Sequence, residues 1–242
     1  MTLLLQAILK NRLGQVIGLV VSWCLFLLII RIERSGSTYY KFLAWNLFLA
    51  AVPLAASSAM LRLAARNASR LAQLGCFAFW LIFFPNAPYV LTDLVHLTPR
   101  PPVPMWYDLA LILSCGGTGL VFGYLSMIQV HGIMARRFGE KIGWSIAISS
   151  LLLSGFGIYL GRFLRLNSWD IARKPESILI GIADVVRNPG FASPQIGVTV
   201  IFGVILAFWY VAMRQLTIQV SSTPSGRQRD ERAARGMERH VI

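Results

Sequence analysis

Six long apolar runs alternate with short polar or charged breaks along the chain. A helix needs roughly 17–25 mostly apolar residues to cross a bilayer core. Six windows meet that length: 13–30, 42–61, 71–91, 106–130, 143–164 and 195–217. The pattern predicts an all-α fold, a polytopic transmembrane helical bundle of six spans occupying 1–220. Pro85 and Pro88 interrupt the third window, and each removes a backbone donor and disturbs the carbonyl ladder. Ahead of the last window, Ile178, Ile182, Val185 and Val186 fall on one helical face, with Glu176, Asp184 and Arg187 as polar positions. That stretch is too short and charged to span. It predicts an interfacial helix over 175–187 on the outer face. Residues 221–242 read as an Arg-rich, disordered cytoplasmic tail.

Composition sharpens the class. Of 242 residues 56% are hydrophobic and only 14% charged, against about 25% charged in an ordinary soluble domain. A soluble fold of this size could not hide so much apolar surface, and disorder is excluded by the same figures. The net charge of +13 would suggest nucleic acid in a soluble protein. Here it reads as topology. Lys and Arg gather on the cytoplasmic side of a membrane. In the six-span scheme 14 of the 23 Lys and Arg fall with the two termini, the 62–70 loop and the 136–141 loop, and the other 9 fall opposite. Both termini are therefore expected to be cytoplasmic. Arg62, Arg66 and Arg70 stand at helical spacing without acids, so the second span is expected to continue into the head-group region. The expected partners are the lipid bilayer and, at the tail, anionic lipid. Nucleic-acid binding would need more charge and some aromatic residues there. The first window follows Lys10 and Arg12 but has no small-x-small cleavage site, so it reads as an uncleaved helix. Cys24, Cys76 and Cys115 all lie in apolar runs, an odd count that reads as packed small hydrophobes.

Polar residues near apolar spans are the informative ones in a membrane protein, and three stretches hold them. In FPNAPYVLTDLVHL, Asn86 sits between the two prolines, where its amide can bond freed backbone or another helix. Asp93 and His96 follow three apart and would share a face of a continuing helix. In MWYDL, Trp106 and Tyr107 resemble an outer aromatic belt, and Asp108 opens the fourth span, where a helix dipole favours a carboxylate. In LGRFLRLNSWD, Arg162 and Arg165 close the fifth span, followed by Asn167 and Asp170. All three stretches fall on one side of the membrane. Asn86, Asp93, His96, Tyr107, Asp108, Arg162, Asn167 and Asp170 are thus the candidates for one outward-facing polar pocket. Gly119/Gly123 and Gly157/Gly161 are GxxxG pairs that allow close helix approach. They are expected to pack the fourth span on the fifth and to bring Asp108 to Arg162. Asp93, His96, Asp108 and Asp170 are chemically suitable ligands for a divalent metal, but Asp-x-x-His lacks the dense His/Cys pattern of strong metal sites. No serine or cysteine motif marks a nucleophile, and no glycine-rich nucleotide loop is present.

The strings FPNAPYVLTDLVHL, WYDL and SGFGIYLGRFLRLNSWD resemble a bacterial family of multi-pass membrane proteins catalogued as domain of unknown function 1361. The resemblance covers roughly 43–210 and leaves the tail outside. It implies an integral protein of the bacterial inner membrane and carries no established activity. Three functional readings follow. The first is a pocket for a small molecule, lipid head group or ion, with enzymatic action left open. The second is an assembly factor whose polar residues only join helices. The third is a transporter with a broken third helix on its pathway.

Overall fold

The computed structural model describes residues 3–166, 168–173, 176, 180, 183, 187 and 194–222. Candidate Asn167 lies outside the described residues, as do most of the expected interfacial helix and nearly all of the expected tail. Among the described residues every regular element is helical: α1 Leu3–Ser35, α2 Phe42–Ala65, α3 Arg70–Phe83, α4 Asn86–Tyr89, α5 Met105–Phe138, α6 Glu140–Phe163, α7 Asp170–Arg173 and α8 Pro194–Ser222. Two 3-10 segments, Tyr39–Lys41 and Val90–His96, accompany them. Six stretches are long and apolar enough to cross a membrane: Arg12–Ser35, Tyr39–Ala65, Arg70–His96, Met105–Phe138, Glu140–Phe163 and Ile196–Leu216. The chain divides into two compact units, Met1–Leu206 and Ala207–Ile242. The first holds α1 to α7 and the start of α8, and the second holds the rest of α8.

Within the first unit, polar and apolar faces are arranged for lipid rather than water. Trp23, Phe26, Trp45 and Phe48 are exposed on α1 and α2. A row of that size would be a liability in an aqueous protein, whereas a bilayer is its natural solvent. The buried faces meet in one core, where Cys24, Leu27 and Leu28 of α1 and Leu43, Leu47 and Ala50 of α2 pack on Leu111, Ile112 and Cys115 of α5. The three cysteines are free, and Cys24 Sγ lies 3.4 Å from the Thr118 hydroxyl.

The third apolar stretch determines where the site forms. α3 stops at Phe83, because Pro85 and Pro88 cannot donate to the ladder. The chain continues through α4 and then tightens into the 3-10 segment Val90–His96. Backbone freed inside a membrane must find partners within the protein. Asn86 Nδ2 donates to Phe83 O at 2.8 Å, and the Ser168 hydroxyl donates to Ile82 O at 3.2 Å.

The glycine pairs serve this break and not the contact expected of them. A Cβ on Gly119 would stand 2.6 Å from Ala87 O, and one on Gly123 would stand 3.1 Å from Ala87 Cβ. A Cβ on Gly157 would stand 2.5 Å from Pro85 Cβ, and one on Gly161 would stand 2.8 Å from the Tyr89 ring. The broken segment is thus wedged between α5 and α6, and each helix yields a strip of side-chain volume to it. α5 and α6 approach one another closely elsewhere, where Gly143 faces His131 and Ala135.

Candidate functional site

Asp93 stands on the 3-10 segment and is almost fully buried, at 1% exposure. A carboxylate in such a place must be paired and hydrogen-bonded. Arg162 from the last turn of α6 donates Nη2 to Asp93 Oδ1 at 2.8 Å, and Asn46 from the first turns of α2 donates Nδ2 to Oδ2 at 2.8 Å. Each oxygen has its own donor, and three elements are tied at one point. Arg162 Nη2 also donates to the Thr92 hydroxyl at 2.7 Å, and its Nη1 lies 3.0 Å from His96 Nε2. The guanidinium stacks 4.6 Å above the Tyr89 ring, in the space that Gly161 leaves.

The contact with His96 sets a tautomer. A guanidinium can only donate, so Nε2 must accept and the ring proton belongs on Nδ1. That nitrogen faces the Tyr39 hydroxyl at 3.4 Å. Asp93 and His96 do share a face, as their spacing suggested. The reason is different: residues three apart eclipse on a 3-10 turn, and no α-helix continues there.

Asp108 does not join this cluster. The expected Asp108–Arg162 pair is replaced by two separate ion pairs. Arg31, at the end of α1, donates Nε to one carboxylate oxygen of Asp108 and Nη2 to the other at 3.1 Å, with both side chains at 3% exposure or less. Arg162 is committed to Asp93. The wedge of broken chain between α5 and α6 is the physical cause, since it holds Asp93 next to Arg162 and leaves Asp108 facing α1. Tyr107 belongs to the Arg31 side too, donating to Leu27 O at 2.9 Å. The two pairs still occupy one end of the unit, because Arg31 Nη2 also donates to Arg100 O, and the Arg100 guanidinium lies 3.6 Å from the Tyr39 ring that reaches His96. Asp170 opens α7 and is buried.

The four suggested metal ligands do not converge. Among the described residues no three His, Cys, Asp or Glu side chains are grouped for a metal. Both oxygens of Asp93 and both of Asp108 face nitrogen donors, and a guanidinium stands between Asp93 and His96. A cation would have to displace Arg162.

Beside the Asp93 cluster lies a cavity of about 700 Å³. Asn46, Asn86, His96, Arg162, Arg165 and Ser168 supply its polar lining. Its apolar wall includes Leu49, Leu81, Leu153, Phe156 and Leu160. Leu153 is half-exposed at 52%, so the apolar wall reaches the lipid-facing surface. Arg165 is exposed and has a left-handed backbone with φ of 54°, closing α6 where glycine is the usual choice. Holding a non-glycine residue there costs about 1–2 kcal/mol. Such strain commonly marks a working position.

Asn46, Arg31, Thr92, Tyr89 and Ser168 were not among the sequence candidates. Asn46 carried a usable signal, as a lone amide near the start of an otherwise apolar window. Arg31 stands one residue beyond the first apolar window, where the sequence alone offers it as an ordinary boundary cation.

The family model for proteins of unknown function DUF1361 matches residues 45–209, more than half of the chain. The chain belongs to this family. The matched region includes Asn46, Asp93, Asp108 and Arg162, whereas Arg31 lies before it. No curated protein and no solved structure matches the chain.

Proposed function

We propose that this DUF1361 protein binds an anionic amphiphile, a lipid-like molecule with a negatively charged head, in the cavity beside Asp93. The supporting observation is the division of the cavity lining. Arg162 and Arg165 stand with amides and a hydroxyl at one end, and a leucine- and phenylalanine-rich wall runs from there to the lipid-facing surface. Apolar pockets with a few convergent polar groups are the usual form of ligand sites. Arg165 is exposed and has no ion pair or hydrogen bond among the described residues. It supplies the unneutralised charge, while Asp93, Asn46 and Tyr89 position Arg162. The charge bias of the loops supports an outer-side position for this end in a bacterial cell membrane, with both termini inside.

A second reading has its own support. Both oxygens of Asp93 are paired within the protein, as in a device for joining α2, the break and α6. The cavity separates the two readings. Leu153→Trp would fill its mouth without touching the polar cluster. The purified full chain should carry co-purifying anionic lipid or lipid-like phosphate that the Leu153→Trp variant lacks, at unchanged stability. Equal lipid content in both would leave only the joining role. Transport finds less support: Trp80, Phe84 and Phe122, on the far side of the break from Asp93, are all buried at 2% exposure or less.

A further inference from the structure

The other end of the first unit carries a second cavity, of about 410 Å³, where α2 turns into α3 and α5 ends. Ala64, Asn67, Arg70, Gln73, Arg136 and Arg137 are among its lining residues. α2 stops at Ala65 rather than running on through the arginines, because Asn67 takes a left-handed backbone with φ of 50° and reverses the chain. This turn brings Arg70 to face the end of α5. Arg136 and Arg137 sit in the last turn of α5, where the helix dipole suits a cation. Arg70 does not have that excuse. It opens α3, one residue after the Ser69 cap, where the dipole opposes a positive charge.

Among the described residues, no carboxylate is paired with these cations. Arg137 Nη1 donates to Gln73 Oε1, and Gln73 Nε2 donates to Ala68 O at 2.8 Å, which fixes this side of the cavity. Arg70 and Arg136 have no hydrogen bond or ion pair among the described residues. Among the described residues no acidic side chain lines the cavity, and Glu140 lies 3.6 Å from His131. Three arginines so placed call for an anion from outside, in the bidentate manner in which guanidinium groups take phosphate. The rim says where the anion comes from. Leu71 and Leu74, the chain neighbours of Arg70 and Gln73, are exposed, Leu71 at 81%, and the exposed Phe138 ring lies 5.3 Å from the Arg137 guanidinium. Apolar side chains flanking a cationic pocket are positioned for acyl chains.

We propose that this cavity binds the phosphodiester head group of an anionic phospholipid, with Arg70 and Arg136 as the charge-assisted donors and the acyl chains lying against Leu71, Leu74 and Phe138. The proposal does not rest on the cavity beside Asp93. Its test uses the full chain in dodecyl maltoside, with Leu153→Trp present throughout to close that other cavity. The unfolding temperature is followed during titration with dihexanoyl phosphatidylglycerol, dihexanoyl phosphatidylcholine or inorganic phosphate. Phosphatidylglycerol should stabilise the protein at concentrations where the other two do not. Arg70→Gln with Arg136→Gln should require about tenfold more of it for the same shift, equivalent to the loss of one good charged contact, and the paired Lys substitutions should retain most of the response. Equal stabilisation by phosphatidylcholine would overturn the proposal. So would reproduction of the shift by inorganic phosphate alone, which would make this a free-anion site, or a double variant that responds like its parent. If the double variant is already less stable without lipid, Arg136→Gln alone decides: weaker phosphatidylglycerol binding supports the proposal and unchanged binding refutes it.

Discussion

Asp108→Asn should be among the most damaging single substitutions in the chain. Asp108 and Arg31 are both withdrawn from solvent, and the carboxylate receives two donors from one guanidinium. Neutralising Asp108 leaves Arg31 charged and buried, facing an amide oxygen, the carbonyl of Arg100 and the Tyr40 ring but no anion. Breaking a buried pair on one side costs about 3–5 kcal/mol, whereas replacing both partners with apolar residues of similar volume is often neutral. Arg31→Met with Asp108→Leu should therefore recover most of the stability that either change loses alone. A coupling of about 2–4 kcal/mol is expected between positions 31 and 108, and under about 0.5 kcal/mol between 108 and 162, which share no partner. Reversible unfolding in mixed dodecyl maltoside and SDS micelles, read by tryptophan fluorescence, supplies the four corners of each cycle. A larger coupling for 108 with 162 than for 108 with 31 would refute the two-pair arrangement. So would an Asp108→Asn protein within about 1 kcal/mol of the parent.

Three further outcomes follow from the same geometry. Asn46→Leu should cost about 1–3 kcal/mol, because it strips the donor from Asp93 Oδ2 in a buried place, and the same micellar unfolding measures it. Gly157→Ala should cost about 1–3 kcal/mol through its clash with Pro85, while Gly117→Ala, which meets nothing within 4 Å, should be neutral or stabilising. A periplasmic reporter fused at Ser221 should be inactive in cells, and an active one would invert the proposed orientation.

The six spans were legible because apolar length is a one-dimensional signal that lipid imposes on each helix separately. The break at Pro85 was legible for the same reason, since a missing donor is a property of the residue itself. Pairing was not. Arg162 and Asp108 lie at the ends of helices that follow one another in sequence, and the glycine motifs suggested that these helices touch there. The glycines instead make room for Ala87, Pro85 and Tyr89, and an inserted chain changes which charges meet. Which partner a buried charge takes depends on three-body packing, and no spacing rule encodes that. Arg31 illustrates the limit from the other side. As the charge ending an apolar window it reads as an ordinary interfacial cation, and only the approach of α1 to α5 makes it the counter-ion of Asp108. The cavity was equally hidden, because its apolar wall is drawn from side chains that each look like simple lipid contacts.

Arg165→Gly isolates the central proposal, because its two expected effects have opposite signs. Glycine relieves the left-handed backbone, worth about 1–2 kcal/mol, and gives back part of that through the greater freedom of the unfolded chain. The variant should therefore be as stable as the parent or slightly more so. At the same time the cavity loses its unneutralised cation, and a charge-assisted hydrogen bond is worth about 1.5–3 kcal/mol. The deciding measurement is the affinity of the purified full chain for dodecyl phosphate, with dodecyl maltoside as the uncharged comparison. A ten- to hundredfold weaker affinity for dodecyl phosphate at undiminished stability is predicted, roughly what that loss converts to. Unchanged affinity in a stable Arg165→Gly protein, or no preference of the parent for the anionic head, would contradict the assignment of this cavity to an anionic amphiphile.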